Sequence, residues 1–522
     1  METLDLQALP DDVGELKRLI VKVWTEAEKH IEVLSEEIRL LQDKLFGRRA
    51  ENWSEAELLQ MRLFNEAESG VAEEAAAMAA RLASVEVAAH TRVKRGRRPL
   101  PANLPRVDIV HDISEQEKIC GCGAVMVKID EETHERLAIV PQKVYVERHI
   151  RPKYACHECE GAESEGPAVK IAPVPPTMIP KSNASEGLLA YLLTAKFCDA
   201  LPFYRQERIF SRFGIDITRA TMCSWALEVG RRCEPLMVLL RDEIRAGPLV
   251  WVDETPLQVL NEPGRAATTK SYMWVFAGGG SARPTAVVYL YHPTRSGSVP
   301  QQYLQGFQGY MQTDGYTAYD EMGRQPGIRG HLGCWAHSRR KWIEVTKASK
   351  NAASAHVALG YIKMLYKVEA NAAAQGLDPE GVRRVRQEQT LPVLSDFKAW
   401  LDKQVQQVPP RSLLGKAFAY TLGQWERLVL YVEDGRLTPD NNIAENAIRP
   451  FCVGRRNWLF SYHPAGAAAS ATIYSLIESA KLNGLEPYRY LRALFEQLPF
   501  LGPNAEPEQL RALLPQHIKI ST

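Results

Sequence analysis

Leu249-Val250-Trp251-Val252-Asp253-Glu254-Thr255-Pro256 is a short apolar run that closes on two acids and a proline. Four apolar residues bounded in this way read as a buried strand, with Asp253 at its end. Further along, Tyr310-Met311-Gln312-Thr313-Asp314-Gly315-Tyr316 repeats the pattern and places Asp314 where a second strand meets a glycine. Glu445 lies in Asp440-Asn441-Asn442-Ile443-Ala444-Glu445-Asn446, the opening turn of a predicted helix. A single acid after a strand more often caps a helix or makes a turn. Two carboxylates at strand ends and a third on a later helix are a set that can hold two divalent cations. Mg²⁺ or Mn²⁺ takes oxygen ligands and keeps waters for a substrate. A metal pair can activate an attacking oxygen and stabilise the leaving oxygen of a phosphodiester.

Around these acids the chain carries further motifs in a fixed order. They are Trp-Val-Asp-Glu-Thr-Pro, Thr-Asp-Gly-Tyr, Gly-Cys-Trp-Ala-His-Ser-Arg-Arg-Lys-Trp over 333–342, Asp-Asn-Asn-Ile-Ala-Glu-Asn-Ala-Ile-Arg-Pro over 440–450, and Gly-Arg-Arg-Asn-Trp-Leu-Phe over 454–460. In this order they resemble the DDE transposases of insertion-sequence family sixty-six. The resemblance runs from the N-terminal helix to Lys481-Leu482-Asn483-Gly484-Leu485-Glu486-Pro487. It implies an enzyme that binds the ends of a mobile DNA element, cleaves phosphodiesters to expose 3′-hydroxyls and joins them to target DNA. Asp253, Asp314 and Glu445 are then the catalytic, magnesium-binding residues. Further implied partners are a second copy of the chain in a dimer or higher oligomer and small accessory proteins of the same element. The implied location is the bacterial cytoplasm, on the nucleoid when DNA is bound.

The expected architecture is multidomain α+β. The boundaries are 1–50 for a coiled-coil helix, 51–105 for an acidic spacer and basic linker, 106–172 for a zinc module and 180–240 for a helix-turn-helix. A catalytic core follows in two parts, 247–342 and 437–500, around a helical insertion at 343–436, with a tail at 501–522. Strands are predicted at 249–253, 272–277, 285–291, 310–314 and 330–335, and helices at about 297–306 and 316–322. Strand, hairpin, strand, helix, strand, helix is consistent with a ribonuclease-H-like mixed sheet.

Residues 12–46 read as one long helix. Leu16, Ile20, Val23, Ala27, Ile31, Leu34, Ile38, Leu41 and Leu45 step by fours and threes, a heptad seam with one stutter. The seam fits either a coiled coil with a second chain, which is preferred, or a helix packed on its own protein. After the Ala- and Glu-rich spacer the charge inverts at Arg92, Lys94, Arg95, Arg97 and Arg98. Such a run often contacts phosphates, the alternative being a solvated linker, and Arg-Gly-Arg-Arg-Pro has the form of a minor-groove hook. Cys120 and Cys122, with Cys156 and Cys159 after a predicted strand at 144–154, could wrap one structural Zn²⁺. Helix, Gly214 turn, helix over 201–232 has the layout of a helix-turn-helix with Arg219, Thr221 and Ser224 toward DNA bases. His337, Arg340, Arg449, Arg455 and Arg456 complete the expected DNA contacts.

Bulk properties are permissive. The chain has 522 residues, 45% apolar and 24% charged, and a net charge of +1. No apolar run reaches the roughly 18–20 residues of a membrane span, so no membrane partner is expected. Nine cysteines, an odd and scattered count, suit a reducing compartment. The alternatives are a structure-specific nuclease of the same fold, a DNA-binding regulator without catalysis, and a zinc hydrolase using His331 and His337. The last has a spacing ill suited to a helical ligand pair.

Overall fold

The structure is a computed structural model that describes residues 12–46, 144–155, 169–281, 283–348, 352–502 and 504–520. It divides into one unit of residues 1–77 with 151–522 and a second of 78–150, of which 144–150 are described, without helix or strand. The predicted strand over 144–154 is instead a three-residue strand, β1 (Lys153–Ala155), paired antiparallel with β2 (Val169–Ile171).

Helix α1 spans Val13–Phe46, as the heptad pattern predicts. Three helices follow the small hairpin: α2 (Glu186–Phe197), α3 (Phe203–Ser211) and α4 (Arg219–Ala246). Gly214, at φ 73°, makes the turn between α3 and α4. Thr218 caps α4 by accepting from the Thr221 N–H. The second helix does not stop near residue 232. It runs on to Ala246, because Val229, Cys233, Leu236, Leu240 and Ile244 continue its apolar face into the core.

A five-stranded mixed sheet forms the centre, in the order β5-β4-β3-β6-β7. Its strands are β3 (Leu249–Gln258), β4 (Lys270–Gly278), β5 (Ala286–His292), β6 (Gly309–Gln312) and β7 (Ile328–Leu332). The β3-β4-β5 meander is antiparallel, whereas β6 and β7 lie parallel to β3 and to each other. Short helices α5 (Ser298–Tyr303) and α6 (Tyr319–Gly323) make the crossovers.

Three strand expectations change. β3 does not end at Asp253 but continues through Pro256 to Gln258. β6 leaves β3 after Trp251, so the far half of β3 has no neighbouring strand on that edge, which tolerates a proline. β6 ends at Gln312, two residues before Asp314, and β7 ends at Leu332.

Helix α7 (Trp335–Ala348) opens the helical insertion, which continues with α8 (Ala353–Ala374), α9 (Pro379–Val385), α10 (Leu391–Gln404), α11 (Leu413–Gly423) and α12 (Trp425–Val429). Its core is aromatic: Phe397 stacks on Tyr361 at 4.8 Å, and Trp342 meets Phe418 edge-on at 4.9 Å. Buried Arg386 pairs with Glu369 at 2.7 Å and donates to the carbonyls of Tyr431, Asp434 and Leu437, which fixes the chain that re-enters the sheet domain.

Helix α13 (Asn442–Trp458) then lies along β3 and β4, and α14 (Pro464–Leu482) covers the outer strand β5. Ser479 and Ser475 of α14 accept from the Val287 and Tyr289 N–H groups, which satisfies backbone donors of that edge. Helices α4 and α14 cross so closely at Gly230 that an added Cβ would lie 2.8 Å from the Ala469 Cα. Helices α15 (Pro487–Leu501) and α16 (Pro507–Arg511) complete the chain, so the expected tail at 501–522 holds a helix.

Candidate active site

Trp251 of β3 and Gln312 of β6 are the last paired residues of two parallel neighbours. Asp253 and Asp314 each stand two residues beyond that pair. Parallel register therefore brings both to the same end of adjacent strands, just past the last paired residues. The Gln312 side chain fastens this end. It accepts from the Trp251 indole at 2.9 Å and donates to the carbonyls of Gly333 and Thr438.

The helix bearing Glu445 is tied to the same place. Asn441, wholly buried, donates from Nδ2 to the Val252 carbonyl at 3.0 Å. The Trp335 N–H donates to the Pro439 carbonyl at 3.0 Å. On the far side Tyr289 donates its hydroxyl to the Ala447 carbonyl.

Electrostatics report the convergence. Burial, followed by the charges of Glu254, Asp314 and Glu445, pushes Asp253 well above the usual carboxylate range. Burial also raises Asp314, against the Tyr316 N–H and the Arg295 and Arg340 guanidiniums. Glu445 is raised by burial too, opposed by Arg340 and Arg449 and reinforced by Asp314. Close carboxylates that resist ionisation together are relieved by a bound cation, and their oxygen atoms suit a hard divalent ion.

The cationic rim is Arg340, 3.5 Å from Glu445 Oε2, and the half-buried Arg449 and Arg295. His337 Nδ1 stands 3.4 Å from Glu445 Oε1, and burial lowers this histidine to about 3. His331 is elsewhere in role: its Nε2 meets Thr313 Oγ1 at 2.8 Å, and burial lowers it to about 3 as well.

Other expected contacts are placed less uniformly. Arg455 hydrogen-bonds Thr255 Oγ1 at 2.9 Å and the Pro256 carbonyl, which pins α13 to β3, while Arg456 is exposed. Arg219 and Ser224 are exposed on the first turns of α4. The Thr221 hydroxyl lies 3.0 Å from that of Thr218. Arg95, Arg97, Arg98, Cys120, Cys122, Cys156 and Cys159 lie outside the described residues.

Sequence reading missed Glu254 and its partners. Its side chain is 1% exposed, accepts from Arg295 at 2.5 Å and from the Tyr319 hydroxyl, and Arg295 in turn lies over Tyr316 at 3.7 Å. This clamp joins β3 to the loop carrying Asp314. No local pattern marks Glu254, because Arg295 and Tyr319 lie 41 and 65 residues away in the chain.

Comparison with known proteins agrees in order and extent. The family model described as "Transposase IS66 family" matches residues 181–469, more than half of the chain. "Transposase C of IS166 homeodomain" matches 33–109, "zinc-finger binding domain of transposase IS66" matches 117–160, and "IS66 C-terminal element" matches 475–516. The zinc-finger match contains all four expected cysteine ligands. Among relatives, the uncharacterized protein y4jD of Sinorhizobium fredii is 33% identical over 430 residues, 80% of this chain and 81% of that one. The uncharacterized protein y4qI of the same organism is 29% identical and covers 99% of both chains. Among the described residues no helix is long and apolar enough to cross a membrane. With its transposase, zinc-finger and C-terminal segments all matched in sequence order, the chain belongs to the IS66 transposase family.

Proposed function

We propose that this transposase works by DDE chemistry, with Asp253, Asp314 and Glu445 holding a pair of divalent cations, Mg²⁺ or Mn²⁺. The observation that carries the reading is geometric: parallel register sets Asp253 and Asp314 two residues beyond the Trp251–Gln312 pair, and Asn441 bonds the start of the Glu445 helix to the Val252 carbonyl. The strand order, with an antiparallel meander followed by two parallel strands, supports a ribonuclease-H-like core. Cations bound there would activate an attacking oxygen and stabilise the leaving one. Arg340 and Arg449 orient a phosphate beside Glu445, and the Glu254–Arg295 clamp holds the Asp314 loop in place.

The reaction has two balanced steps. Water displaces one side of a phosphodiester at the element end, leaving a 3′-hydroxyl and a 5′-phosphate. That hydroxyl then attacks a target phosphodiester, one P–O bond forming as another breaks, so no covalent protein intermediate is needed. Zn²⁺ on Cys120, Cys122, Cys156 and Cys159 staples the small module, and 92–98 with the α3–α4 pair supply DNA contacts.

Residues 12–46 pair two copies of the chain. In α1 the seam residues Ile20, Ile31, Leu34, Ile38 and Leu41 are 49–63% exposed, while Leu40, outside the seam, is buried and Glu37 pairs with Lys416 at 2.9 Å. The helix thus rests on its own chain by one face and keeps the heptad face open.

The test is Asp253→Asn, Asp314→Asn and Glu445→Gln, assayed separately. Each should abolish cleavage of element ends in Mg²⁺ and leave end binding intact. Full cleavage by any one of the three removes the assignment.

A further inference from the structure

Beside the three carboxylates stands a second set of metal-capable atoms. Among the described residues, one triple of histidine, cysteine and acidic side chains has its ligand atoms all within 4.8 Å of one another: Cys334, His337 and Glu445. Asp253 and Asp314 are not in it. Cys334 immediately precedes α7 and His337 lies three residues on, so both face one way; Glu445 is in the first turn of α13. The two helix starts are held together independently of any ligand, since the Asn441 N–H donates to Cys334 Sγ at 3.2 Å. Between them His337 Nδ1 and Glu445 Oε1 face each other at 3.4 Å, both buried and neither in an aligned hydrogen bond. Buried polar atoms without an aligned hydrogen bond are rare, and an ion that they would share is one explanation for such a pair.

We propose that Cys334 Sγ, His337 Nδ1 and Glu445 Oε1 form a binding site for a borderline-soft divalent cation, with Zn²⁺ as its type. Sulfur, nitrogen and oxygen donors in a group of three suit Zn²⁺, with a fourth position left to water. The thiolate disfavours Mg²⁺, which selects oxygen. This site is chemically distinct from the all-oxygen set, yet it shares Glu445 with it. Its consequence for catalysis rests on the function proposed above: Zn²⁺ bound here draws Glu445 out of the magnesium pair and inhibits cleavage. Binding itself does not depend on that reading.

The experiment is elemental analysis of the full-length protein, equilibrated with buffered micromolar Zn²⁺, as wild type, Cys334→Ser and His337→Gln. Wild type should hold one more zinc per chain than either variant, over and above zinc in the cysteine module that all three share. The His337 side chain is 25% exposed, so His337→Gln provides a folded comparison if Cys334→Ser does not fold. Substituted Co²⁺ should show stronger thiolate-to-metal absorption in wild type than in Cys334→Ser. Equal zinc in wild type and folded His337→Gln overturns the site, and assigns His337 to DNA or to structure. The readings fail separately: Asp253→Asn should lose cleavage and keep the zinc difference. A cleaving Asp253→Asn would overturn the DDE assignment without touching the zinc site.

Discussion

Asn441 Nδ2 donates to the Val252 carbonyl at 3.0 Å, so the residue before α13 is bonded to the residue before Asp253. β6 has already parted from β3 at this point, and the amide takes the place of the missing strand. At the Glu445 end this side chain thus ties the helix that carries Glu445 to the strand that carries Asp253, as Arg455 does at the other end.

Asn441→Ala should therefore cost about 1–3 kcal/mol, the usual penalty for stranding a buried hydrogen-bonding group. Denaturant unfolding reads the stability loss. Cleavage should fall further than end binding, because the carboxylates lose their mutual position while the proposed DNA-contacting segments keep theirs. Unchanged stability and cleavage would mean that the tether is redundant.

The raised carboxylates predict a pH signature in metal-free protein. The folded chain holds the Asp253 proton more tightly than the unfolded chain, owing to burial and to Glu254, Asp314 and Glu445. Stability then falls as pH rises between the ordinary carboxylate value and the raised folded one. Asp253→Asn removes that charge. Without divalent ions it should melt higher than wild type at neutral pH, and the gap should close as the solution is acidified. A variant that melts lower than wild type across the whole range would contradict the repulsion.

Much of the candidate site was legible in sequence because its acids sit in recognisable settings. The pattern placed Asp253 on a strand and Glu445 in the first turn of a helix, where the fold has them, and the span of α1 matches the predicted helix almost to the residue. Strand ends were less legible. Asp253 and Pro256 looked like terminators, but β3 is paired with β4 well past them, a long-range partner that no local pattern encodes. The length of α4 was missed for a related reason: its second half is helical because of what it packs against. Glu254 was invisible as a site residue because its partners, Arg295 and Tyr319, are distant in the chain. In sequence Cys334 is one of the scattered cysteines, and only the fold sets it beside Glu445.

Arg386 offers a stability test remote from the chemistry. Its guanidinium is 3% exposed and satisfies Glu369 and three carbonyls. Arg386→Met should cost about 3–5 kcal/mol, as when one partner of a buried ion pair is removed. Double replacement of Arg386 and Glu369 by apolar residues should recover part of that loss in the same unfolding assay. No recovery would show that the carbonyl bonds, and not the ion pair, dominate.

The crossing of α4 and α14 is equally specific. At Gly230 the nearest atoms to an added Cβ are the Cβ and Cα of Ala469, at 2.7 and 2.8 Å, so relief requires a backbone shift. Gly230→Ala should destabilise by about 1–3 kcal/mol from overpacking, although alanine is the better helix former by roughly 0.8–1.0 kcal/mol. Thermal melting of the variant decides between these terms. A higher melting temperature would show that the helices separate freely.

The last prediction concerns the open face of α1. Leu40 and the Glu37–Lys416 pair bind this helix to its own chain, and neither belongs to the heptad seam. Charges placed on the seam, Ile31→Lys with Ile38→Glu, should therefore spare the fold while breaking self-association. Both residues are more than half exposed, so the folded chain loses little buried apolar area. Sedimentation should show the wild type as a dimer or larger and the double variant as a monomer. Single-end binding should survive, and complexes that hold two element ends should weaken, because pairing the ends then depends on chance encounter. A monomeric wild type, or a double variant that still pairs ends normally, would leave α1 as a helix that serves only its own chain.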